Sequence, residues 1–337
     1  MKPAGLLNAL RADLRRFVPK VGKAILSGAL AAMAPIIAPA ARRGIGSNAC
    51  LRHGFLPVPI NYDQPIPDVA DLVDRDVFAV RSDMPGVAFF GGRQVELLAS
   101  LGDEFGQECR WAASPPKDPG DTGFFTENGR FGFGCAASTH CVIRRFKPNL
   151  VIEIGSGQSS SIIGQALQTN FSEDGVRGHH CVIDPCPSAG LTMGGKYPID
   201  VTTSRVELVD RHEFDALSAG DILFVDSGHT VRIGGDVNFL FLEVIPRLAP
   251  GVLVHVHDIP LPWDYPRAYA TGRGLRIFWT ESYLLQGFLA FNSAFEVMLA
   301  MSYLMTEEIV RFRSAFPHYD PAAHKSVSGS FWMRRVG

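Results

Sequence analysis

The sequence predicts an α/β protein with a parallel sheet that begins at Leu150–Ile154. This run, apolar apart from Glu153, is typical of a strand that is buried on both faces. Gly155 and Gly157 follow it as a turn, and later apolar residues recur at helical spacing, with Ser159 or Ser160 as the helix cap. A strand, a glycine turn and a helix in this order form the context in which a glycine-rich motif holds a nucleotide-like cofactor.

Composition and charge limit the classes of function. The chain has 337 residues, of which 46% are hydrophobic and 20% charged, so it can bury one large core or two modest ones. A formal net charge of −2 argues against nucleic acid as a partner of the whole chain. The six cysteines form no CxxC pair and no zinc-type spacing, which indicates reduced thiols in a cytoplasmic protein.

Residues 1–53 differ from the rest of the chain. They hold nine lysines and arginines against a single acid, Asp13. Apolar residues recur at helical spacing from Leu6 to Phe17, which predicts a basic amphipathic helix. An alanine-rich apolar run, Ala24–Ala41, follows this helix and is closed by two arginines.

Four interpretations of this N-terminal segment stay open. A transmembrane helix would be of borderline length and interrupted by Pro35 and Pro39. A secretory signal would explain the basic start and the apolar middle. Residues 1–44 could also make peripheral contact with an anionic membrane surface. The sequence favours the fourth interpretation, a helix that packs on its own domain or on another subunit of a homo-oligomer.

Residues 54–127 are interpreted as an extension that precedes a larger domain at residues 128–337. Five prolines between positions 57 and 85 predict little regular structure, and Gln94–Leu101 predicts a short helix. Aromatic residues in the glycine-rich loop that follows are either a lid over a ligand or buried anchors of the loop. They are Phe124, Phe125, Phe131 and Phe133.

The acid Glu153, two residues before Gly155, discriminates between cofactor classes. Nicotinamide-binding turns usually keep this strand end apolar, and Ser160 stands here in place of their third glycine. A buried carboxylate is costly without a partner, and a ligand with a positively charged group would supply one. Both departures disfavour a nicotinamide-dependent oxidoreductase, which remains the alternative enzyme.

At this motif the sequence resembles the class I S-adenosylmethionine-dependent methyltransferases. Glu153–Gly157 is similar to the first motif of that family. Later segments are similar to the other strands of its sheet, in order: His180–Pro185, Arg205–Asp210, Asp221–Asp226, Val252–Ile259, and a final antiparallel pair, Phe295–Leu304 and Ser330–Arg335, with Val237–Leu248 as the helix before the fifth strand. The resemblance implies a Rossmann-like, doubly wound, mostly parallel seven-stranded sheet with a helical or irregular N-terminal extension.

The resemblance also implies S-adenosylmethionine as the cofactor. By this likeness the acid after the second strand would hold the ribose hydroxyls, and the acid after the third would lie near the adenine. The expected cofactor-binding residues are Glu153, Gly155, Ser156, Gly157, Asp184 and Asp210. Two alternatives stay open, with Asp184 as a helix cap or turn acid and Asp210 as an ordinary surface acid.

Polar residues follow the predicted fourth and fifth strands. Asp226 and His229 come after the fourth strand, and His257 and Asp258 come after the fifth. Ligands of open α/β sheets bind beyond the carboxyl ends of the strands, so we expect these side chains near the transferred methyl group. His229 is the candidate general base, with Asp226 beside it, because an imidazole titrates near neutral pH. His255, inside the fifth strand, is expected to be a core histidine.

Asp226, His257 and Asp258 are the candidate ligands of a divalent metal. The region resembles metal-dependent catechol O-methyltransferases, in which an acid follows the fourth strand, a base comes three residues later, and further ligands follow the fifth strand. Here His229 replaces the lysine of the base position, and His257 replaces an acid. Mg²⁺ favours oxygen ligands and softer metals tolerate imidazole, so metal use stays open beside a structural role for the two acids.

These observations predict an enzyme that transfers a methyl group from S-adenosylmethionine to a small-molecule acceptor, and they favour oxygen over nitrogen as the acceptor atom. The non-enzyme alternative is a methyltransferase-like binding or scaffold protein. A nucleic-acid methyltransferase is disfavoured, since the sequence has no basic patch outside its N-terminus and no Asn-Pro-Pro-Tyr-type tetrapeptide. The aromatic stretch Trp279–Phe291 is interpreted as core, and Trp263–Tyr265 as an acceptor wall.

Overall fold

The computed structural model describes residues 20–115, 124–187, 198–272 and 276–337. These residues belong to two units, one that ends at Asp74 and one that begins at Arg75. The amphipathic helix expected at Leu6–Phe17 lies outside the described residues, as does part of the glycine-rich loop before Phe124. The division of the chain into residues 1–53, 54–127 and 128–337 stays a prediction.

The described part of the first unit contains three helices: α1 Lys20–Arg42, α2 Ser47–Arg52 and α3 Val69–Asp74. Pro35 and Pro39 lie inside α1. The window Ile25–Arg42 of this helix is long and apolar enough to cross a membrane, by length and composition. The proline-rich stretch between α2 and α3 has no helix or strand among its described residues, in agreement with the sequence.

The second unit is built on one mixed sheet. The strands in its described part are β1 Leu150–Ile154, β2 His179–Ile183, β3 Asp200–Thr202, β4 Ile222–Val225, β5 Leu253–Val256, β6 Phe295–Ala300 and β7 Phe331–Arg335. Their order across the sheet is β3-β2-β1-β4-β5-β7-β6. The first five run parallel, and β7 runs antiparallel to both β5 and β6. The expected Rossmann-like fold is therefore confirmed.

Helices flank this sheet and bury its apolar faces. Their bounds are α4 Gly92–Phe105, α5 Phe133–Phe146, α6 Gln158–Asp174, α7 Asp236–Phe239, α8 Arg267–Thr271, α9 Glu281–Leu289, α10 Met301–Thr306 and α11 Ile309–Ala315. The central strand β1 pairs with β2 on one side and β4 on the other, and its Val151, Ile152 and Ile154 are all buried. Strands covered on both faces have no polar alternation, which is why β1 is apolar except at Glu153.

The prediction for the third strand was wrong. Arg205–Asp210 was expected there, but Val206–Leu208 is a 3₁₀ turn and β3 is the earlier segment Asp200–Thr202. β3 is a three-residue strand at the sheet edge, and none of its residues is fully buried. A short, polar edge strand has no apolar run by which the sequence would identify it. Val206, by contrast, is buried although it belongs to no strand, so its segment resembled one.

Two further segments depart from regular geometry. The helix expected at Val237–Leu248 is α7, followed by a π-helical turn at Leu240–Val244 and a 3₁₀ turn at Ile245–Arg247. Pro246 lies in that last turn, and a proline cannot donate the backbone hydrogen bond that would continue an α-helix. β6 was expected to reach Leu304 but ends at Ala300, where α10 begins.

Candidate functional site

The carboxyl ends of β1, β4 and β5 meet at one edge of the sheet. The main chain joins them directly, since Asp226 N donates to Ile154 O and His257 N donates to Val225 O, both at 2.9 Å. Gly155 N donates in the same way to Ile183 O of β2, at 3.0 Å. The residues that follow these strands are thereby placed side by side, at the edge where open α/β sheets bind their ligands.

The turn after β1 requires glycine at its first position. Gly155 has a φ of +87°, and a Cβ placed on it would lie 2.1 Å from the carbonyl oxygen of Asp226. Gly157 differs, because a Cβ there would meet no described atom within 4 Å. The expectation that Ser159 or Ser160 caps the helix was wrong, since the N-cap is Gly157 and both serines lie in the first turn of α6, where Ser160 Oγ accepts from Gly157 N at 3.1 Å. The turn therefore packs closely against β4 and leaves open space beside Gly157.

Glu153 is fully buried and has two protein partners. Ser159 Oγ donates to its Oε1 at 2.5 Å, and His180 Nε2 lies 2.9 Å from its Oε2. The sequence pointed to a cationic ligand as the reason for a buried acid here, but it did not identify His180 as a partner. His180 is the second residue of β2, and the β1–β2 register brings it within reach of β1. The contacts tie Glu153 to α6 and β2 on either side of the turn.

The other two predicted cofactor acids have different surroundings. Asp184 directly follows β2 and is half-buried; its Oδ2 accepts from Ser156 Oγ at 2.5 Å and its Oδ1 from Cys186 N at 2.7 Å. Asp210 is exposed and caps the 3₁₀ turn Arg211–Ala216 by accepting from His212 N at 3.0 Å. The structure thus brings Asp184 to the glycine turn, while the described contacts of Asp210 are those of a turn cap.

Asp226, His229 and Asp258 form a compact group that we name the β4–β5 cluster. The ligand atoms of these three side chains all lie within 4.8 Å of one another. His229 Nε2 is 3.3 Å from Asp226 Oδ1 and 3.6 Å from Asp258 Oδ2. His257 Nδ1 lies beside them, 3.4 Å and 3.6 Å from the same two oxygens. The predicted catalytic and metal-ligating residues are therefore neighbours.

Charge interactions within the cluster are strong. Burial alone would raise the pKa of Asp226, but His257 and His229 outweigh this effect and lower it. Burial would likewise lower the pKa of His229, yet Asp226 and Glu281 raise it to about 10. The pKa of His257 is also raised, by Asp226 and Asp258 against the effect of burial. The cluster thus has two carboxylates that favour positive charge in the space between them.

The backbone at the β4–β5 cluster is strained. His229 and Asp258 have φ angles of 55° and 56°, in the left-handed region that residues with a Cβ rarely occupy. Gly329 packs directly against the second of these residues. A Cβ on Gly329 would lie 2.7 Å from Asp258 Cα, so glycine is needed for this close approach. Such strain is maintained only where the surrounding structure imposes it, and it is frequent at functional sites.

Glu281 is a site residue whose role the sequence did not reveal. It begins α9, it is fully buried, and its Oε2 lies 2.8 Å from His229 Nδ1. The backbone N–H groups of Thr280 and Glu281 both donate to His229 O, at 2.9 and 3.2 Å. Glu281 Oε1 has no hydrogen-bond partner among the described residues. The start of α9 therefore holds His229 by its ring and by its main chain.

Aromatic rings surround the two histidines. The Trp279 ring centroid lies 4.4 Å from that of His229, and Tyr265 and Tyr269 pack edge-on against Trp279. Phe131 lies 5.2 Å from the His257 ring. Phe124 and Phe131 of the glycine-rich loop and Phe133 at the start of α5 are buried, and Phe125 is half-buried, which favours their interpretation as anchors over that of a lid.

Two neighbouring residues complete the surroundings of His257. Cys135 Sγ is buried 3.4 Å from His257 Nε2 and 3.0 Å from Ser328 Oγ. His255 lies two residues earlier, on β5, and is fully buried. Its Nε2 is 2.8 Å from Ser330 Oγ, and its ring stacks on that of Phe224. Its pKa is lowered, chiefly by burial. The expectation that His255 is a core histidine is confirmed.

Residues 152–259 match a family described as a methyltransferase domain. This segment runs from the middle of β1 to the residue after Asp258, so it contains the glycine turn and the β4–β5 cluster. No curated protein sequence matches the chain.

Two solved structures are among those similar to the chain. One is the SAH-bound methyltransferase PaMTH1 of Podospora anserina, with 13% identity, a TM-score of 0.34, and coverage of 84% of this chain and 100% of that one. The other is a protein of Thermobifida fusca YX described as a methyltransferase, with 11% identity, a TM-score of 0.29, and coverage of 76% and 97%. The likeness to a methyltransferase domain thus covers residues 152–259, and the strand order around this segment is that of a Rossmann-like sheet.

Proposed function

We propose that the protein transfers the methyl group of S-adenosylmethionine to an oxygen atom of a small-molecule acceptor. We further propose that the β4–β5 cluster binds a divalent cation that holds this oxygen. The observation that carries the proposal is the grouping of two carboxylates and an imidazole within 4.8 Å, next to the glycine turn. Donor and acceptor would then meet at the carboxyl edge of the sheet.

The glycine turn suits S-adenosylmethionine. The space beside Gly157 lets a ligand approach the main chain closely. Asp184 is half-buried at the end of β2, where a carboxylate can accept from the two ribose hydroxyls. Ser156, hydrogen-bonded to Asp184, links that acid to the turn. Glu153 would act through its contacts with α6 and β2 and keep the turn in place, because its own carboxylate is fully buried.

The donor set of the cluster suits a divalent cation that accepts both oxygen and nitrogen. Ligands about 2.1 Å from a tetrahedral ion are about 3.4 Å apart, close to the 3.3 and 3.6 Å that separate His229 Nε2 from the two carboxylates. His257 Nδ1 has no hydrogen-bond partner among the described residues and lies close enough to contribute as well. Imidazole ligands favour Mn²⁺, Zn²⁺ or a similar ion over Mg²⁺.

Each residue then has a defined task. A bound divalent cation would lower the pKa of the acceptor hydroxyl and orient its oxygen. Glu281 accepts a hydrogen bond from His229 Nδ1–H, which leaves the Nε2 lone pair directed at the cluster. Trp279 covers one side of the His229 ring and limits the access of water. The enzyme contributes mainly by positioning the two reactants.

The alternative role of His229 is that of a metal-free general base. Both of its ring nitrogens already face carboxylates, Nδ1 toward Glu281 and Nε2 toward Asp226 and Asp258. The raised pKa of His229, about 10, keeps a proton on the metal-free ring at neutral pH, so this ring cannot accept another proton, whereas a bound divalent cation would displace that proton from Nε2. The geometry therefore favours the role of a ligand. A base would support the same turnover with and without a chelator, whereas a ligand would not.

Cation binding can be measured directly by titration of the full chain with Mn²⁺, followed by electron paramagnetic resonance. We expect one bound equivalent, and a loss of at least a hundredfold in affinity for Asp226→Asn and for Asp258→Asn. Asp103→Asn is the matched control, since Asp103 is an exposed acid on α4. Equal Mn²⁺ affinity in all four proteins would refute the proposed cation site.

The cofactor is tested separately by calorimetric titration with S-adenosylhomocysteine and with NADH. We expect binding of the first ligand only, weakened by Asp184→Ala. Binding of NADH instead would support the oxidoreductase alternative. A panel of hydroxylated acceptors, assayed with Mn²⁺ and with a chelator, then distinguishes an enzyme from a protein that binds the cofactor without turnover.

A further inference from the structure

Helix α1 has an apolar surface that is exposed to solvent. The window Ile25–Arg42 has a mean hydropathy of 1.5, and none of it is buried. Five of its large apolar side chains are between 53% and 73% exposed, and Ile37 is half-buried. The five are Ile25, Leu26, Leu30, Met33 and Ile36. Scattered exposed apolar residues are ordinary on soluble proteins, but a continuous patch on one helix indicates a binding surface.

The distribution of residues around α1 identifies the kind of surface it fits. Successive helical residues are 100° apart, so the five large side chains fall within an arc of about 140°. Alanine, glycine, serine and proline occupy the remaining arc, and no charged residue lies between Lys23 and Arg42. A helix that lies flat on a membrane needs a charged face along its length, and α1 has none. Its lack of a polar face is typical of a helix surrounded by lipid.

The length of α1 agrees with this interpretation. The uncharged stretch Ala24–Ala41 contains 18 residues, which span about 27 Å at 1.5 Å each. The hydrocarbon core of a bilayer is about 30 Å thick. Pro35 and Pro39 lie inside the helix, and prolines are tolerated in membrane helices more readily than in soluble ones.

Charge at the end of α1 points to anionic lipid. Arg42 and Arg43 are exposed directly after the apolar stretch, and Arg52 is exposed at the end of α2. The sequence has no acid from Leu14 to Tyr62. A basic segment next to an apolar one is attracted to the phosphate groups of anionic lipids.

We propose that α1 inserts into a lipid bilayer and anchors the protein to a membrane that contains anionic phospholipids. Arg42 and Arg43 would lie at the level of the headgroups. This inference does not depend on the proposed reaction or on the cation site.

The test uses the full chain, made by cell-free synthesis in the presence of unilamellar vesicles and then separated by flotation. One set of vesicles is phosphatidylcholine alone, and the other also contains phosphatidylglycerol. Leu30→Glu with Ile36→Glu places two charges on the exposed arc of α1. Ile233→Glu with Val310→Glu is the matched control, since these residues are 103% and 79% exposed in the second unit.

We expect the parent and the control to float with both vesicle types and to resist alkaline carbonate. The Leu30/Ile36 variant should float at least tenfold less. Replacing Arg42 and Arg43 with glutamine should weaken binding about tenfold on anionic vesicles and leave neutral vesicles unaffected. Unfolding followed by tryptophan fluorescence checks the fold, because all four tryptophans lie in the second unit.

Three results would overturn the proposal. The parent could stay with the unbound fraction in both vesicle types. The Leu30/Ile36 variant could float as well as the parent. The parent could instead form stable oligomers in buffer, with cross-links confined to α1, which would show that a second copy covers the helix. Equal binding of the arginine variant to anionic vesicles would overturn the assignment of Arg42 and Arg43 to the headgroups.

Discussion

The glycine turn and the β4–β5 cluster lie at the same edge of the sheet and hold similar residues, but they differ in how their acids are paired. At the turn, Glu153 and Asp184 each accept short hydrogen bonds from the protein. In the cluster, Asp226 and Asp258 face His229 Nε2 at 3.3 and 3.6 Å, which is too long for a strong charged hydrogen bond.

This difference shows which side chains serve the fold and which remain available to a ligand. The acids at the turn already have hydrogen-bond donors within the protein, so a cofactor would mainly contact the backbone of the turn, in the open space beside Gly157. The cluster combines charge with strained backbone at His229 and Asp258, and the neighbouring His257 Nδ1 and Glu281 Oε1 have no hydrogen-bond partner among the described residues. Such a combination persists when function requires it. Substitutions at the turn should therefore affect stability most, and substitutions in the cluster should affect binding most.

The largest effect is expected for Gly155→Ala. The new Cβ would lie 2.1 Å from Asp226 O on a backbone with a φ of +87°, so the free energy of unfolding should fall by about 4 kcal/mol. Gly157→Ala, which meets no described atom, should keep its stability and lose only S-adenosylhomocysteine affinity. Urea denaturation and calorimetry measure the two effects. Equal stability of the two variants would contradict the assigned geometry.

Glu153→Gln tests the separation of stability from binding. It removes the charge of a buried pair with His180, and the free energy of unfolding should fall by about 3 kcal/mol while Mn²⁺ affinity is unchanged. Asp258→Asn should do the reverse, because Asp258 is half-buried and lies 3.6 Å from its nearest histidines. The comparison fails if both variants lose stability and Mn²⁺ affinity in the same proportion.

Glu281→Gln should have a smaller effect on the cluster. An amide can still bond His229 Nδ1, but it no longer stabilises the ring electrostatically, so Mn²⁺ affinity should fall about tenfold. Electron paramagnetic resonance measures this loss, and tryptophan fluorescence checks stability. Gln286→Glu on the same helix is a control that changes charge without touching His229. An unchanged Mn²⁺ affinity would show that Glu281 supports only the fold.

The smallest effect concerns Glu108, a paired acid that is partly exposed. Burial would raise the pKa of Glu108, but His140 and Arg144 outweigh it and lower the pKa to about 2. A lowered pKa means that Glu108 stabilises the fold above pH 4.5, and that this contribution is lost as the pH falls toward 2.

Glu108→Gln should therefore cost about 1 kcal/mol at pH 7, after allowance for solvent screening, and almost nothing near pH 2. Glu104→Gln is the control, since Glu104 pairs with Arg145 on the exposed surface. Urea denaturation across this range of pH provides the measurement. A cost for Glu108→Gln that does not change with pH would exclude the charge pair as its cause.

The parts of the fold that the sequence predicted are those with continuous buried runs. β1, β4 and β5 are almost entirely buried because helices cover the central sheet, and β2 is buried at its apolar end, Val182 and Ile183. β3 escaped prediction because Asp200–Thr202 lies at the edge, where polar residues are tolerated. The residues of the β4–β5 cluster could be anticipated for a related reason, since strand ends in such sheets converge by topology.

Glu281 and His180 could not be assigned as partners from the sequence. Glu281 lies 52 positions from His229, and only the path of the chain after β5 brings α9 to the cluster. His180 reaches Glu153 because of the β1–β2 register, and a single sequence does not specify which residues of two strands are neighbours. Both pairings depend on contacts distant in the chain, for which local patterns contain no signal.

The close approach of Gly155 to the carbonyl oxygen of Asp226 has a consequence for how such an enzyme can diversify. Under the proposed function, the turn that would hold the methyl donor contacts Asp226, the first residue of the proposed acceptor site, through main-chain atoms, so no exchangeable side chain would set the direction of methyl transfer. New acceptors would then be accommodated by changes in Trp263–Tyr265 or around Trp279. The side chains that would select the acceptor are thus distinct from the main-chain atoms that would align it with the methyl donor, so the former can change while the latter are kept.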